Sequence, residues 1–275
     1  MTQKTILITG CSSGLGYDAA HGLRDRGWRV FASCRQQHDC DRLREEGFES
    51  PLIDYADPDT IYNGLADVLE ATGGTLDALY NNGAFAVPGA VEDLPRGALR
   101  SIYETNVFGV HDLTQAVIPV MRNQGHGRII NCSSVLGIVG MKWRGAYVST
   151  KFALEGLTDV LRVEMADTPI KVILLEPGPI TSKIRKNSIP HFEQWIDHKN
   201  SARHAEYAQL RDRLYKDTGP DQFELPASAT TKKIIHALES KRPKPRYYVT
   251  FPTYLMGTLR RILSTRALDW VIGKV

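Results

Sequence analysis

Thr5-Ile6-Leu7-Ile8-Thr9-Gly10-Cys11-Ser12-Ser13-Gly14-Leu15-Gly16, close to the start of the chain, decides the fold. Thr5 to Ile8 is a short apolar run of strand type, and residues 15–26 have helical periodicity closed by Gly27. Between them the glycines recur as G-x3-G-x-G. Glycine permits a sharp turn and lets backbone approach a ligand with no Cβ in the way. A helix beyond such a loop points free N–H groups and its positive dipole end at an anion. The spacing is neither G-x-G-x-x-G nor a G-x4-G-K-[ST] phosphate loop. A glycine turn can also merely close a corner, so its meaning depends on the rest of the chain.

Downstream, strand and helix patterns alternate. Apolar strand-like runs lie at 29–33, 51–54, 76–80, 128–132 and 170–175, with helical patterns between them at 40–46, 58–71, 92–124 and 146–165. Asp57-Pro58 caps the second of these helices. Short apolar strands separated by helices imply a parallel sheet buried on both faces. Right-handed crossovers then give an α/β, doubly wound, Rossmann-like sandwich. Residues 182–224 turn polar and helix-favouring, which suggests a helical substrate lid inserted into one domain spanning 1–275. A helix at 227–240 and a last strand at 246–250 come next, then an apolar tail at 251–275.

Composition narrows the class. The chain has 275 residues, 42% hydrophobic and 24% charged, as an ordinary globular domain does. A net charge of +3, spread along the chain, makes no case for nucleic acid. Cys11, Cys34, Cys40 and Cys132 lack metal-ligand spacing, and the histidines form no H-E-x-x-H pair, so no metal is expected. Strand-like residues begin at Lys4, so no signal peptide is expected. No apolar stretch reaches the ~18 residues of a membrane span. A cytoplasmic protein is expected.

Polar residues gather at the strand ends, where doubly wound sheets bind ligands. Asn81-Asn82-Gly83 ends one strand, Ser133-Ser134 another, and Pro177-Gly178-Pro179-Ile180 a third. Tyr147 and Lys151 are four residues apart, on one face of a helix. A phenol with an ordinary pKa near ~10 needs a neighbouring cation to exchange protons at neutral pH. After the second strand, Ala32-Ser33-Cys34-Arg35 carries no acid for ribose hydroxyls but one guanidinium suited to a 2′-phosphate. NADP(H) is therefore favoured over NAD(H).

Together these residues resemble the short-chain dehydrogenase/reductase family over about residues 4–182. The loop Thr9 to Gly16 matches its T-G-x3-G-x-G motif. The resemblance implies a cofactor contact set of Gly10, Ser12, Ser13, Gly14, Leu15, Gly16, Asp54, Asn81, Tyr147, Lys151, Pro177, Gly178 and Ile180, with Arg35 added by charge. It implies a catalytic tetrad of Asn106, Ser134, Tyr147 and Lys151, with Asn106 steadying a water and Ser134 rather than Ser133 at the matching spacing. Two departures stand out. Asn81-Asn82-Gly83-Ala84 exchanges the last two residues of N-N-A-G, and Ser182 stands where threonine is usual. Within the family, the segments around Tyr147 and Pro177 resemble retinol and 17β-hydroxysteroid dehydrogenases, and the C-terminal Lys241 to Tyr247 resembles bacterial NADP-dependent aldehyde reductases.

The expected chemistry is NADPH-dependent reduction of an apolar aldehyde or ketone, with Tyr147 as general acid. NAD-dependent oxidation of a retinol-like or steroid alcohol, a non-catalytic dinucleotide sensor, and a reductase of carrier-bound thioesters are the competing readings. Phe85, Leu136, Met141, Trp143, Phe192 and Trp195 are expected around an apolar substrate, although each could equally fill core. The resemblance implies a homodimer or homotetramer. The tail is expected to pack on the body, with weak membrane association through its cations as the sharper alternative.

Overall fold

The computed structural model describes residues 3–216 and 219–274. Six parallel strands form one sheet in the order β2-β1-β3-β4-β5-β6. They are β1 (Thr5–Ile8), β2 (Arg29–Ala32), β3 (Ala78–Asn81), β4 (Gly127–Cys132), β5 (Ile170–Glu176) and β6 (Arg246–Tyr248). Side chains alternate between two cores, as a period of two requires. Ile6, Ile8, Tyr80, Ile130 and Ile173 enter one, and Leu7, Leu79, Ile129 and Val172 the other.

The described residues include twelve α-helices. On the first face lie α1 (Gly14–Arg24), α2 (Gln37–Glu45) and α10 (Ala227–Glu239), and on the second α3 (Pro58–Thr72), α5 (Gly109–Gln124) and α6 (Gly145–Glu164). Asp57 caps α3 by accepting from the Asp59 N–H, with Pro58 in the first turn. Between α4 (Arg96–Tyr103) and α5, residues Glu104–Phe108 widen into a π-helix, so the expected helix at 92–124 is a 3-10 turn (Val91–Asp93) followed by three helical pieces. A third core joins α4 and the start of α6 to α8 (Ile189–Trp195) and α9 (His204–Tyr215) of the 182–224 excursion, which opens with the short α7 (Ile184–Asn187). Residues 217 and 218 of that excursion, and 275 of the tail, lie outside the described residues.

One expectation changes. Residues 51–54 do not form a strand: Leu52 makes one isolated bridge to Cys34, and Glu49 one to Phe31. Beside the edge strand β2, this short run meets too little partner backbone to form a ladder. The tail folds as α11 (Phe251–Ile262) and α12 (Thr265–Ile272), but on α11 the small Thr253 and Gly257 face inward while Leu255 and Ile262 stay exposed. Gly257 lies against the Tyr248 ring, where a larger side chain would clash. Among the described residues, no helix is long and apolar enough to cross a membrane.

Candidate active site

Strand order reverses beside β1, whose neighbours are β2 and β3. A crevice opens at such a point beyond the carboxyl ends of the strands. Gly10 and Gly14 hold φ values of 69° and 64°, a left-handed conformation that favours glycine. A Cβ on Gly10 would stand 2.7 Å from the Gly83 Cα, and one on Gly16 2.6 Å from the Gly10 carbonyl oxygen. Ser13, the N-cap of α1, makes no side-chain cap bond. The first-turn N–H groups of α1 are thus free of a side-chain cap and suited to a pyrophosphate. A cleft of about 500 Å³ runs along this loop, lined by Ser12, Ser13, Gly14, Tyr17, Asp39, Arg42 and Lys183.

Arg35 is exposed at the end of β2, with no side-chain hydrogen bond or ion pair among the described residues. It also lies close enough to α8 that, after burial, its charge helps hold the His191 pKa below the usual range. His191 stacks on Phe85 with ring centres 4.1 Å apart. The excursion therefore touches the loop after β3 through this ring pair. By contrast, Arg42 is committed, to Glu46, Asp39 and the Ser12 carbonyl.

The loop after β3 is organised differently from expectation. Asn81 is buried: its Oδ1 accepts from the Tyr55 hydroxyl at 2.6 Å, and its Nδ2 donates to Thr114 and Asn131. Its side chain braces the strands rather than facing the crevice. Asn82 clips the two loops together instead, donating from Nδ2 to the Thr9 and Gly10 carbonyls while its N–H donates to Thr9 Oγ1. Asp54 is half-buried and accepts from the Ala56 N–H at 3.0 Å.

The strand ends of β4 and β5 are also tied together. Ser133 N–H donates to the Leu175 carbonyl and Val135 N–H to the Pro177 carbonyl, both at 2.8 Å. A Cβ on Gly178 would overlap Thr250 Oγ1 at 2.1 Å, so the Pro177-Gly178 turn sits tightly against the start of α11. Ile180 is half-buried beside the first core. Ser134 caps a single 3-10 turn, accepting from the Leu136 N–H at 3.1 Å. Ser133 is buried, its hydroxyl turned to the Glu155 carboxyl.

Tyr147 and Lys151 project from α6 toward Ser134. Burial pushes the phenol pKa up and Cys132 adds to this, while hydrogen bonding to Ser134 and the Arg144 cation pull it down. Lys151 is 3% exposed, with its Nζ 5.4 Å from the centre of the Tyr147 ring and donating to the Cys132 carbonyl at 2.7 Å. Burial holds its pKa below the usual lysine range. The expectation that Lys151 acidifies the phenol is therefore not met here, because its ammonium is turned to a carbonyl. Asn106 is fully buried in the π-helix, a feature often found at functional sites. Its amide exchanges hydrogen bonds with the Phe85 backbone and donates to Thr150 at 3.2 Å.

The expected substrate residues divide. Phe85, Leu136 and Trp143 are half-buried, and Met141 is exposed. Phe192 is instead 1% exposed, within the third core beside Tyr207, because helices lying off the sheet need an apolar centre of their own. Trp195 packs against Gly97 of α4 and borders, with Phe192, a second cavity of about 530 Å³ whose lining includes neither Ser134 nor Tyr147. All four cysteines are free and buried. Among the described residues no group of three His, Cys, Asp or Glu is placed to hold a metal.

A glycine-loop crevice beside a serine, a tyrosine and a lysine defines a nucleotide-dependent oxidoreductase. The chain belongs to the short chain dehydrogenase family, whose profile matches residues 4–192. It is an enzyme of that family, acting on CH–OH groups with NAD(P). The uncharacterized oxidoreductase YbbO of Escherichia coli (strain K12) is 35% identical over 270 residues, covering 98% of this chain and 94% of that protein. The NADPH-dependent 3-dehydrocapnine reductase of Ornithobacterium rhinotracheale is 28% identical, covering 99% of this chain and 97% of that protein. A short-chain dehydrogenase from Streptomyces avermitilis superimposes with a TM-score of 0.80 at 28% identity, covering 100% of this chain and 97% of that one.

Proposed function

We propose that this enzyme reduces an apolar aldehyde or ketone to the alcohol with NADPH, Tyr147 acting as general acid. The observation that carries the reading is the meeting of Ser134, Tyr147 and Lys151 at the carboxyl edge of the sheet. The glycine loop and the uncapped first turn of α1 would hold the pyrophosphate, and Arg35 the 2′-phosphate. When bound, NADPH supplies the hydride. Tyr147 donates a proton to the substrate oxygen, and Ser134 donates a hydrogen bond to the same oxygen as its charge develops. Lys151 lies one turn further along α6, where its ammonium would meet the cofactor ribose. Asn106 would steady a water that returns a proton to the relay.

Phe85, Leu136 and Trp143 support an apolar substrate. The 182–224 excursion acts as the lid, a reading supported by the Phe85–His191 stack over the crevice. The O. rhinotracheale relative is named an NADPH-dependent reductase, which supports the direction and the cofactor.

The test is a panel of aldehydes, ketones, retinoids and steroids, followed by loss of NADPH or NADH absorbance. An apolar aldehyde or ketone should consume NADPH faster than NADH. Arg35→Asp should weaken NADPH use by roughly 10- to 100-fold, the equivalent of one lost charge-assisted contact, while sparing NADH. Equal use of both cofactors by the wild type, unchanged in Arg35→Asp, would remove the NADPH assignment. Consumption of neither with any carbonyl would remove the reductase reading.

A further inference from the structure

α11 packs on the body through its smallest residues. Thr253 lies beside the Pro177-Gly178 turn and Gly257 against the Tyr248 ring, both buried. Phe251, Leu255 and Ile262 recur at helical spacing on the opposite face. Phe251 is 59% and Ile262 69% exposed, and Tyr254 at the flank is exposed too. A helix that serves only its own fold is apolar inward and polar outward; α11 is the reverse. The patch continues onto the 182–224 excursion, where the exposed Phe223 ring lies 5.2 Å from that of Phe251. Phe223 holds a φ of 63°, a left-handed backbone that is unfavourable for an aromatic residue.

Charge identifies the occupant. Arg260 and Arg261 lie in the last turn of α11, Arg266 and Lys274 follow, and all four are exposed. Asp269 is the one acid in residues 251–275. None of the four cations makes an ion pair or a side-chain hydrogen bond among the described residues. Elsewhere surface arginines are paired: Arg26 with Glu239, Arg29 with Glu49 and Arg203 with Glu92. Uncommitted cations beside exposed aromatic and aliphatic side chains match a layer that is apolar within and anionic at its surface, as lipid headgroups provide. A second copy fits less well. A twofold contact sets a patch against itself, so cations would meet cations with a single acid on each side.

We propose that α11, with Phe223, docks on an anionic lipid surface. Phe251, Leu255 and Ile262 enter the headgroup boundary, and the cations of the tail lie among the lipid phosphates. Docking brings the active site to the membrane, because Thr250 at the start of α11 abuts Gly178 and α11 packs on the Val135–Gly137 turn beside Ser134. An apolar aldehyde or ketone partitions into lipid, so on the function proposed above the enzyme takes its substrate from that layer.

Flotation of the full chain over a lipid titration tests this. One set of vesicles is phosphatidylcholine alone, and the other carries phosphatidylglycerol at roughly one lipid in three. The wild type should bind the anionic vesicles at least ~10-fold more tightly than the neutral ones, and high salt should remove most of the difference. Arg260→Gln combined with Arg261→Gln should weaken anionic binding by ~10- to 30-fold. Phe251→Ser combined with Ile262→Ser should weaken it by at least ~10-fold. Both double variants should melt as the wild type does, because the altered side chains are exposed. Absent binding, equal binding to both vesicle types, or binding that survives either pair of changes would each overturn the proposal. So would a dimer that Phe251→Ser with Ile262→Ser dissociates while the wild type ignores vesicles, which gives the face to a second copy. No turnover is measured, so the outcome stands apart from the fate of the reductase reading.

Discussion

Replacing Tyr147 with phenylalanine is expected to lower turnover by ~10²- to 10⁴-fold, the range that a positioned general acid supplies. The substitution removes one oxygen and leaves the ring, which packs with Trp143 and Ala146 in the third core. Folding and NADPH binding should therefore persist. The loss should appear in kcat more than in KM, since the removed contact is made mainly in the transition state. Burial holds the phenol above its ordinary pKa in the free protein, so Tyr147 is protonated and ready to donate at neutral pH. Near-normal turnover in the variant, measured alongside its NADPH affinity, would refute the assignment.

Arg246→Met should destabilise the protein by about 3–5 kcal/mol, as breaking a buried ion pair from one side does. Arg246 on β6 donates to Glu155 and to Glu176, the latter at 2.5 Å, and to Asp159 at 2.6 Å. Glu176 is fully buried, immediately before Pro177-Gly178, and Glu155 lies one turn beyond Lys151. One guanidinium therefore ties α6 to the β5 strand end. Burial raises the pKa of both glutamates, and for Glu176 the nearby Glu155 raises it further. A carboxyl raised in the folded state gives stability that is full below its unfolded pKa and fades as pH rises through the folded value. Without Arg246 both should rise further. The deficit of Arg246→Met should then be larger at pH 8 than at pH 5, where protonation relieves the unpaired charge. Urea unfolding at both pH values checks this, and an equal deficit at each would argue against the cluster as a charge clamp.

The parallel sheet is legible in the sequence because each strand is a short apolar run with a glycine or polar residue at its end. The loop from Thr9 to Gly16 and the pair Tyr147–Lys151 are legible because their geometry is local, set by a turn and by one helical turn. Residues 51–54 look like a strand for the same apolar reason, but pairing depends on partner backbone that no local pattern reports. Asn81 and Asn82 are adjacent and chemically identical, and only the register of β3 decides which one turns into the protein. Phe192 reads as pocket because its neighbours are polar, whereas the helices of the 182–224 excursion fold around it.

If hydride passes from the dinucleotide to a carbonyl carbon in the crevice beside Tyr147, an isotope can follow it. NADPH deuterated at the transferring position of the nicotinamide is supplied with the carbonyl substrate, and the alcohol is analysed by mass. Deuterium should arrive on the carbinol carbon, one atom for each cofactor oxidised. Deuterium retained on the nucleotide, or carbon-bound hydrogen drawn from solvent, would rule out that transfer.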